Sequence, residues 1–123
     1  METNRITEKI IGCAIDIHRK LGPGLLESAY EDCLEYALKK AGLSCERQKP
    51  IQVQYEEIRL KCGYRIDILV ENAVIIELKS VDCFNPVHEA QILTYMKFSG
   101  IRTGLLINFN TTVLKNGLRR YRL

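Results

Sequence analysis

Two short apolar runs in this chain carry ionisable residues where a buried strand tolerates them only at a cost. Ile66, Ile68, Leu69 and Val70 surround Asp67. After Glu71-Asn72-Ala73, Val74, Ile75, Ile76 and Leu78 surround Glu77, and Lys79 follows. Both runs are short, rich in β-branched residues and separated by a polar turn, so Tyr64–Val70 and Val74–Ser80 read as paired strands. Side chains alternate between the faces of a strand. Glu77 and Lys79 therefore share one face, and Ile76 and Leu78 point to the other. Directly opposed residues of an antiparallel hairpin point the same way. A three-residue loop, Glu71 to Ala73, sets Val70 against Val74 and Asp67 against Glu77. A two-residue loop pairs Asp67 with Ile76 and turns its carboxylate to the wrong face. A shared site for Asp67, Glu77 and Lys79 thus requires the odd-length loop.

Burying two uncompensated carboxylates costs on the order of several kcal/mol or more. A divalent cation between them removes that cost. Mg²⁺ prefers hard oxygen ligands and takes one or two carboxylates beside water and phosphate. A lysine next to them holds or helps deprotonate an attacking water and stabilises charge on a phosphate. The same three charges also fit a structural salt bridge of Lys79 with Glu77 or Asp67. The spacing does not choose between the two, but metal affinity does.

The rest of the chain supplies elements for such a sheet. Thr7 to Leu21 has a helical stripe of Ile10, Ile11, Ala14, Ile17, His18 and Leu21, with Thr7 as cap and Ile6 packing on Ile11. Gly22-Pro23-Gly24 breaks it. A second helix runs to about Ala41 on Leu26, Ala29, Tyr30, Cys33, Leu34, Ala37 and Leu38. Ile51, Val53 and Tyr55 alternate with polar residues as a half-buried strand, which Ile58 to Lys61 extend or follow. A third helix covers Pro86 to Ser99, and Thr103 to Phe109 and Leu118 to Leu123 read as strands. Helix, helix, three strands, helix and two strands make an α/β fold with helices packed on a mixed sheet. A length of 123 residues suits one domain, residues 1–123. The balance of 46% hydrophobic and 27% charged residues excludes a disordered or fibrous chain. Five cysteines, none in a CxxC spacing, argue against a disulfide framework, a structural zinc site or an iron–sulfur cluster. With no charged-then-apolar leader and no apolar run of membrane length, the expected setting is cytoplasmic, with the cysteines reduced.

Further polar groups sit near the expected site. Glu27 and Tyr30 are helical i, i+3 neighbours. Glu27 also suits a helix N-terminus for the dipole alone, and Tyr30 suits core packing. His88, Gln91 and Tyr95 step by three and four along the third helix, a polar stripe on an otherwise apolar element, although a lone histidine there is ordinary. Lys115, Arg119, Arg120 and Arg122 crowd the last nine residues with no acid among them. They suit either contact with nucleic acid or a charged edge strand that blocks unwanted pairing. The formal net charge of +3 permits a polyanionic partner without requiring one.

These motifs together resemble the GxxExxY protein family, a branch of the PD-(D/E)XK nuclease superfamily. The resemblance runs over nearly the whole chain: His18 to Tyr30 with Gly24-Leu-Leu-Glu27-Ser-Ala-Tyr30 at its end, Tyr64-Arg-Ile-Asp67, Glu77-Leu-Lys79-Ser, His88-Glu-Ala-Gln91 with Tyr95, and Gly104-Leu-Leu-Ile-Asn108-Phe. The glycine-rich first motif is specific, whereas Glu-x-Lys alone is weak. The resemblance implies a restriction-endonuclease-like αβββαβ core, a mixed sheet flanked by helices, with an extra N-terminal helix. It implies Asp67 and Glu77 as metal ligands, Glu27 as an acid completing the metal site, Lys79 as the residue serving the water, and Gln91 as a catalytic support. Arg65, Tyr30, His88 and Tyr95 are expected to bind substrate or support the site. The implied activity is Mg²⁺- or Mn²⁺-dependent hydrolysis of phosphodiester bonds in nucleic acid, DNA first. The alternative is a catalytically silent nuclease fold that binds nucleic acid or a protein partner. So short a chain has little room for a specificity domain, which favours a homodimer or a larger partner.

Overall fold

The computed structural model describes residues 1–123 and joins Val70 to Val74 through the three-residue loop Glu71–Ala73. Leu69 then pairs with Ile75 and Ile68 with Ile76, the register that the odd-length loop demands. The loop is held open by Glu71 and Asn72, both at positive φ, and clamped to Ser44, whose backbone N–H and hydroxyl both donate to the Glu71 carboxylate.

In chain order the elements are α1 (Thr3–Leu21), α2 (Glu27–Lys40), β1 (Cys45–Pro50), β2 (Gln54–Tyr55), β3 (Ile58–Arg59), β4 (Arg65–Val70), β5 (Val74–Lys79), α3 (Pro86–Ser99), β6 (Thr103–Asn108) and β7 (Leu118–Arg122), with a 3₁₀ turn at Leu114–Gly117. The main sheet has the order β1-β4-β5-β6-β7, and β2-β3 is a separate hairpin. Only β5 and β6 are parallel; the other neighbours are antiparallel. A parallel pair needs a crossover, which α3 supplies. The fold is therefore a five-stranded mixed sheet flanked by helices, as expected, with α1 as the additional N-terminal helix.

Each face of the sheet has its own core. On one, Ile6, Ile10 and Ala14 of α1 and Leu34 and Leu38 of α2 pack on Ile76, Leu78, Leu105 and Ile107. On the other, Ile92, Tyr95 and Met96 of α3 pack on Leu69, Ile75 and Leu106. Asn85 caps α3 by accepting from the Val87 and His88 N–H groups, Pro86 follows it, and Gly100 closes the helix at φ +77°. No helix is long and apolar enough to cross a membrane.

Three local expectations change. α1 begins at Thr3, not Thr7: Thr7 is buried inside the helix and its hydroxyl donates back to the Asn4 carbonyl at 3.0 Å, a bond open to a mid-helix threonine. Leu26 is not on the buried stripe of α2, since it precedes the helix and is 76% exposed. The first strand of the sheet is Cys45–Pro50, whereas Ile51 to Tyr55 contribute only the two residues of β2. The alternation in β1 is real, because Cys45, Arg47 and Lys49 are the more buried set. Two of those three are charged, so hydrophobicity does not reveal it. Glu31, Asp32 and Glu35 of α2 meet the Arg47 charge.

Candidate active site

Asp67 lies where the sheet gives up its regular pairing. β1 and β4 pair Arg47 with Ile68 and Lys49 with Ile66, but skip Gln48 and Asp67 between them. Gln48 has φ +53°, a backbone that costs a non-glycine residue on the order of 1 kcal/mol or more. On the other side, the β4–β5 ladder ends at Ile68 and Ile76. Ile66 and Ile68, two apart on one strand, belong to opposite cores. A regular strand places such residues on one face, so β4 turns over at Asp67.

Side chains fill the gap in the ladder. The Asp67 backbone N–H donates to Glu77 Oε2 at 2.8 Å, and the Leu78 N–H donates to Asp67 Oδ2 at 2.8 Å. The two carboxylates thus interlock, each tied to the other's strand by one oxygen. Glu77 Oε1 accepts no protein hydrogen bond, and no sealed side-chain polar atom lacks a partner. That oxygen therefore opens to solvent.

The electrostatics follow from this crowding. Glu77 is only 3% exposed. Burial pushes its pKa up to about 8, the Asp67 charge pushes the same way, and the Asp67 N–H and the Lys79 ammonium partly oppose both. Burial also raises the Asp67 pKa and Glu31 adds to it, while the Leu78 N–H, Lys79 and the Gln48 amide oppose. The pair resists full ionisation near neutral pH unless positive charge is brought between its members.

Lys79 does not supply that charge by contact, since no ion pair joins it to either carboxylate. Its ammonium instead donates to Gln91 Oε1 at 3.4 Å, and Gln91 Nε2 donates to the Tyr95 hydroxyl at 3.0 Å. Burial and the neighbouring Glu77 hold the Tyr95 phenol above its ordinary pKa. β5 thus presents Glu77 and Lys79 toward α3, and the Gln91–Tyr95 step along α3 receives the lysine. A structural salt bridge does not describe this arrangement.

A divalent cation suits the donors present. They are hard carboxylate oxygens whose burial the nearby N–H groups and Lys79 offset only in part. No group of three or more acidic, histidine or cysteine side chains is arranged to enclose a metal. Two carboxylates with the remaining positions left to water and phosphate match the habit of Mg²⁺.

The other expected residues are dispersed. Glu27, exposed at the first position of α2, accepts from the Ser80 N–H at 3.3 Å, just beyond Lys79. It borders the site, but the structure does not bring it into one ligand set with Asp67 and Glu77. Tyr30 is buried. Its hydroxyl donates to the Gly22 carbonyl at 2.5 Å and accepts from the Leu25 N–H at 3.2 Å, and its ring stacks on Phe109 at 4.2 Å. It secures the glycine-rich turn that delivers Glu27. His88 Nδ1 accepts from the Asn85 N–H at 3.2 Å, completing the cap of α3. Arg65 is exposed, and its guanidinium donates to the Gln48 carbonyl at 3.3 Å.

Sequence reasoning passed over Glu31, Arg47 and Gln48, and gave Asn108 no role beyond its place in a matching motif. Glu31 is buried, accepts from Arg47 and from Gln48 Nε2 at 2.9 Å, and raises both Asp67 and Glu77. Arg47 also pairs with Asp32 and Glu35. Buried Asn108 lies opposite Lys79 on β6 and bonds both the N–H and the carbonyl of Val81. The available signals were a second acid four residues after Glu27 and a lone asparagine in the apolar Thr103–Phe109 run.

A family model of the PD-(D/E)XK nuclease superfamily matches residues 4–121. Comparison with curated proteins and with solved structures gives no match. Nucleases of this superfamily generally use divalent metal ions such as Mg²⁺. With the match spanning nearly the whole chain, and a mixed sheet flanked by helices beneath it, this protein belongs to the PD-(D/E)XK nuclease superfamily.

Proposed function

We propose that this protein is a Mg²⁺- or Mn²⁺-dependent nuclease that hydrolyses phosphodiester bonds of nucleic acid, and that it is a GxxExxY-type member of its superfamily. The observation that carries the reading is the interlocked Asp67–Glu77 pair, one buried and one half-buried carboxylate with raised pKa values, beside a lysine that forms an ion pair with neither. Asp67 and Glu77 would hold the cation. Bound there, the cation supplies positive charge against the scissile phosphate and makes water a stronger acid. Lys79 orients the attacking water and stabilises charge on the phosphate. Gln91 fixes the lysine ammonium, and Tyr95 fixes Gln91. Arg65 holds the nucleic-acid backbone, and Glu27 and His88 support the edges of the site.

Titration of Mg²⁺ and Mn²⁺ into the metal-free protein by calorimetry, with Asp67→Ala as control, tests the metal site. The same samples are assayed on single- and double-stranded DNA and RNA. Specific binding that disappears in Asp67→Ala, with metal-dependent cleavage, is the expected result. Lys79→Ala should keep the fold and the metal while losing cleavage by 100-fold or more, roughly the contribution of one positioned acid–base group. Cleavage by Lys79→Ala at the wild-type rate would sink this assignment.

A further inference from the structure

Between β1 and β4 the chain leaves the sheet to form the β2–β3 hairpin. Its root is fixed by the Pro50–Arg65 pair and by the Ile51 N–H donating to the Tyr64 carbonyl at 2.9 Å. Arg65 is two residues from Asp67, roughly 7 Å along an extended strand. A hairpin with two-residue strands is marginal in water by itself. This one nevertheless exposes large side chains: Tyr55 is 65% and Ile58 61% exposed, and Tyr64 stands at its root. Charge is graded along it. Glu56 and Glu57 form the tip, whereas Arg59, Lys61 and Arg65 follow toward the root, and none of these three cations forms an ion pair. Tyr64 also packs edge-on against Tyr95 at 6.3 Å, and Tyr95 holds Gln91, which holds Lys79.

We infer that this hairpin is an arm that binds single-stranded nucleic acid and lays it across the Asp67–Glu77 site. The inference rests on the nuclease reading for its purpose, but not for its binding chemistry. Acids at the tip repel phosphates and the cations near the root, whose charge no acid pairs, attract them, so the backbone runs toward Asp67. Exposed tyrosine rings contribute by stacking on bases, which requires a free base face. Bases inside a duplex have both faces covered, so the arm selects unpaired nucleotides.

The test is fluorescence anisotropy with metal-free protein, so that nothing is cleaved. The probes are a labelled oligothymidylate, an oligouridylate and a DNA duplex of the same length. Wild type should bind either single strand about ten-fold or more tighter than the duplex. Tyr55→Ala should weaken single-strand binding about ten-fold, within the range for loss of one stacked base, and Tyr55→Phe should restore it. Arg59→Ala with Lys61→Ala should lower the salt dependence by roughly 0.7 per cation removed. All these variants should bind Mn²⁺ as wild type does. Equal affinity for duplex and single strand, or Tyr55→Ala binding like wild type, overturns the arm. Binding lost in Tyr55→Ala from a wild type that cleaves nothing upholds the arm and sinks the nuclease reading. Duplex cleavage that Tyr55→Ala leaves unchanged does the reverse.

Discussion

At Glu77, burial and neighbouring charge both favour the protonated carboxyl. Its folded-state pKa of about 8 exceeds the ordinary 4.5, so the folded chain binds this proton more tightly than the unfolded chain does. The resulting stabilisation is complete below the ordinary carboxyl range and is lost as the pH rises from about 4.5 to about 8. The metal-free protein should therefore melt at a lower temperature at pH 8.5 than at pH 5, beyond the change in Glu77→Gln. Added Mg²⁺ should restore the wild type at pH 8.5 and leave Glu77→Gln unmoved; thermal melts across this range check both. On the proposed nuclease reading Gln91 is a positioning residue, acting through the Lys79 ammonium that it accepts from. Gln91→Ala should lower kcat about 10- to 100-fold, the usual loss when a supporting partner is removed, with Mn²⁺ affinity unchanged by calorimetry. The three central charges were legible because they interrupt apolar strands. Glu31 was not, because a glutamate on a helix has no apolar background to stand against, and its meaning comes from Arg47 and Gln48 on another element.

Among the elements, α3 and the β4–β5 hairpin were legible almost to the residue, since the helical segment read from Pro86 to Ser99 is the helix found and the loop length fixes the register. β1 was hidden because two of its three inward side chains are charged, and the acids that meet Arg47 lie on α2, distant in sequence. The break in β4 was hidden as well: nothing in the spacing of Ile66 and Ile68 foretells that they lie in opposite cores. The end of β6 carries a constraint of its own. A Cβ at Gly117 would come within 2.2 Å of the Asn108 carbonyl oxygen, a backbone atom that cannot swing aside. Gly117→Ala should destabilise the fold by roughly 1–3 kcal/mol, as overpacking does, read from denaturant melts. Because Asn108 also holds Val81 beside Lys79, the variant should lose cleavage more than a loss of folded fraction explains.

Across the whole molecule, helices cover both faces of one sheet and leave β1 and β7 as its edges. The layered architecture was readable from the order of periodic segments alone, because each amphipathic element must bury a face. Of the basic segment, Lys115 sits in the 3₁₀ turn and the three arginines in the edge strand β7, where Arg120 donates to Asn4 and Arg119 lies 5.5 Å over Phe84. Two of its four cations thus have internal company. A groove between α1 and α2, lined by Gly12, Cys13, Cys33 and Ala37, lies on the face opposite α3 and contains none of the site's charges. The interrupted ladder at Asp67 has one last consequence. Its amide proton is held by a carboxylate instead of a neighbouring strand's carbonyl, so its resonance frequency and its exchange with solvent follow the charge on Glu77. If a cation binds as proposed, the Asp67 amide resonance should shift on titration with Mg²⁺, so one backbone position would report it by NMR.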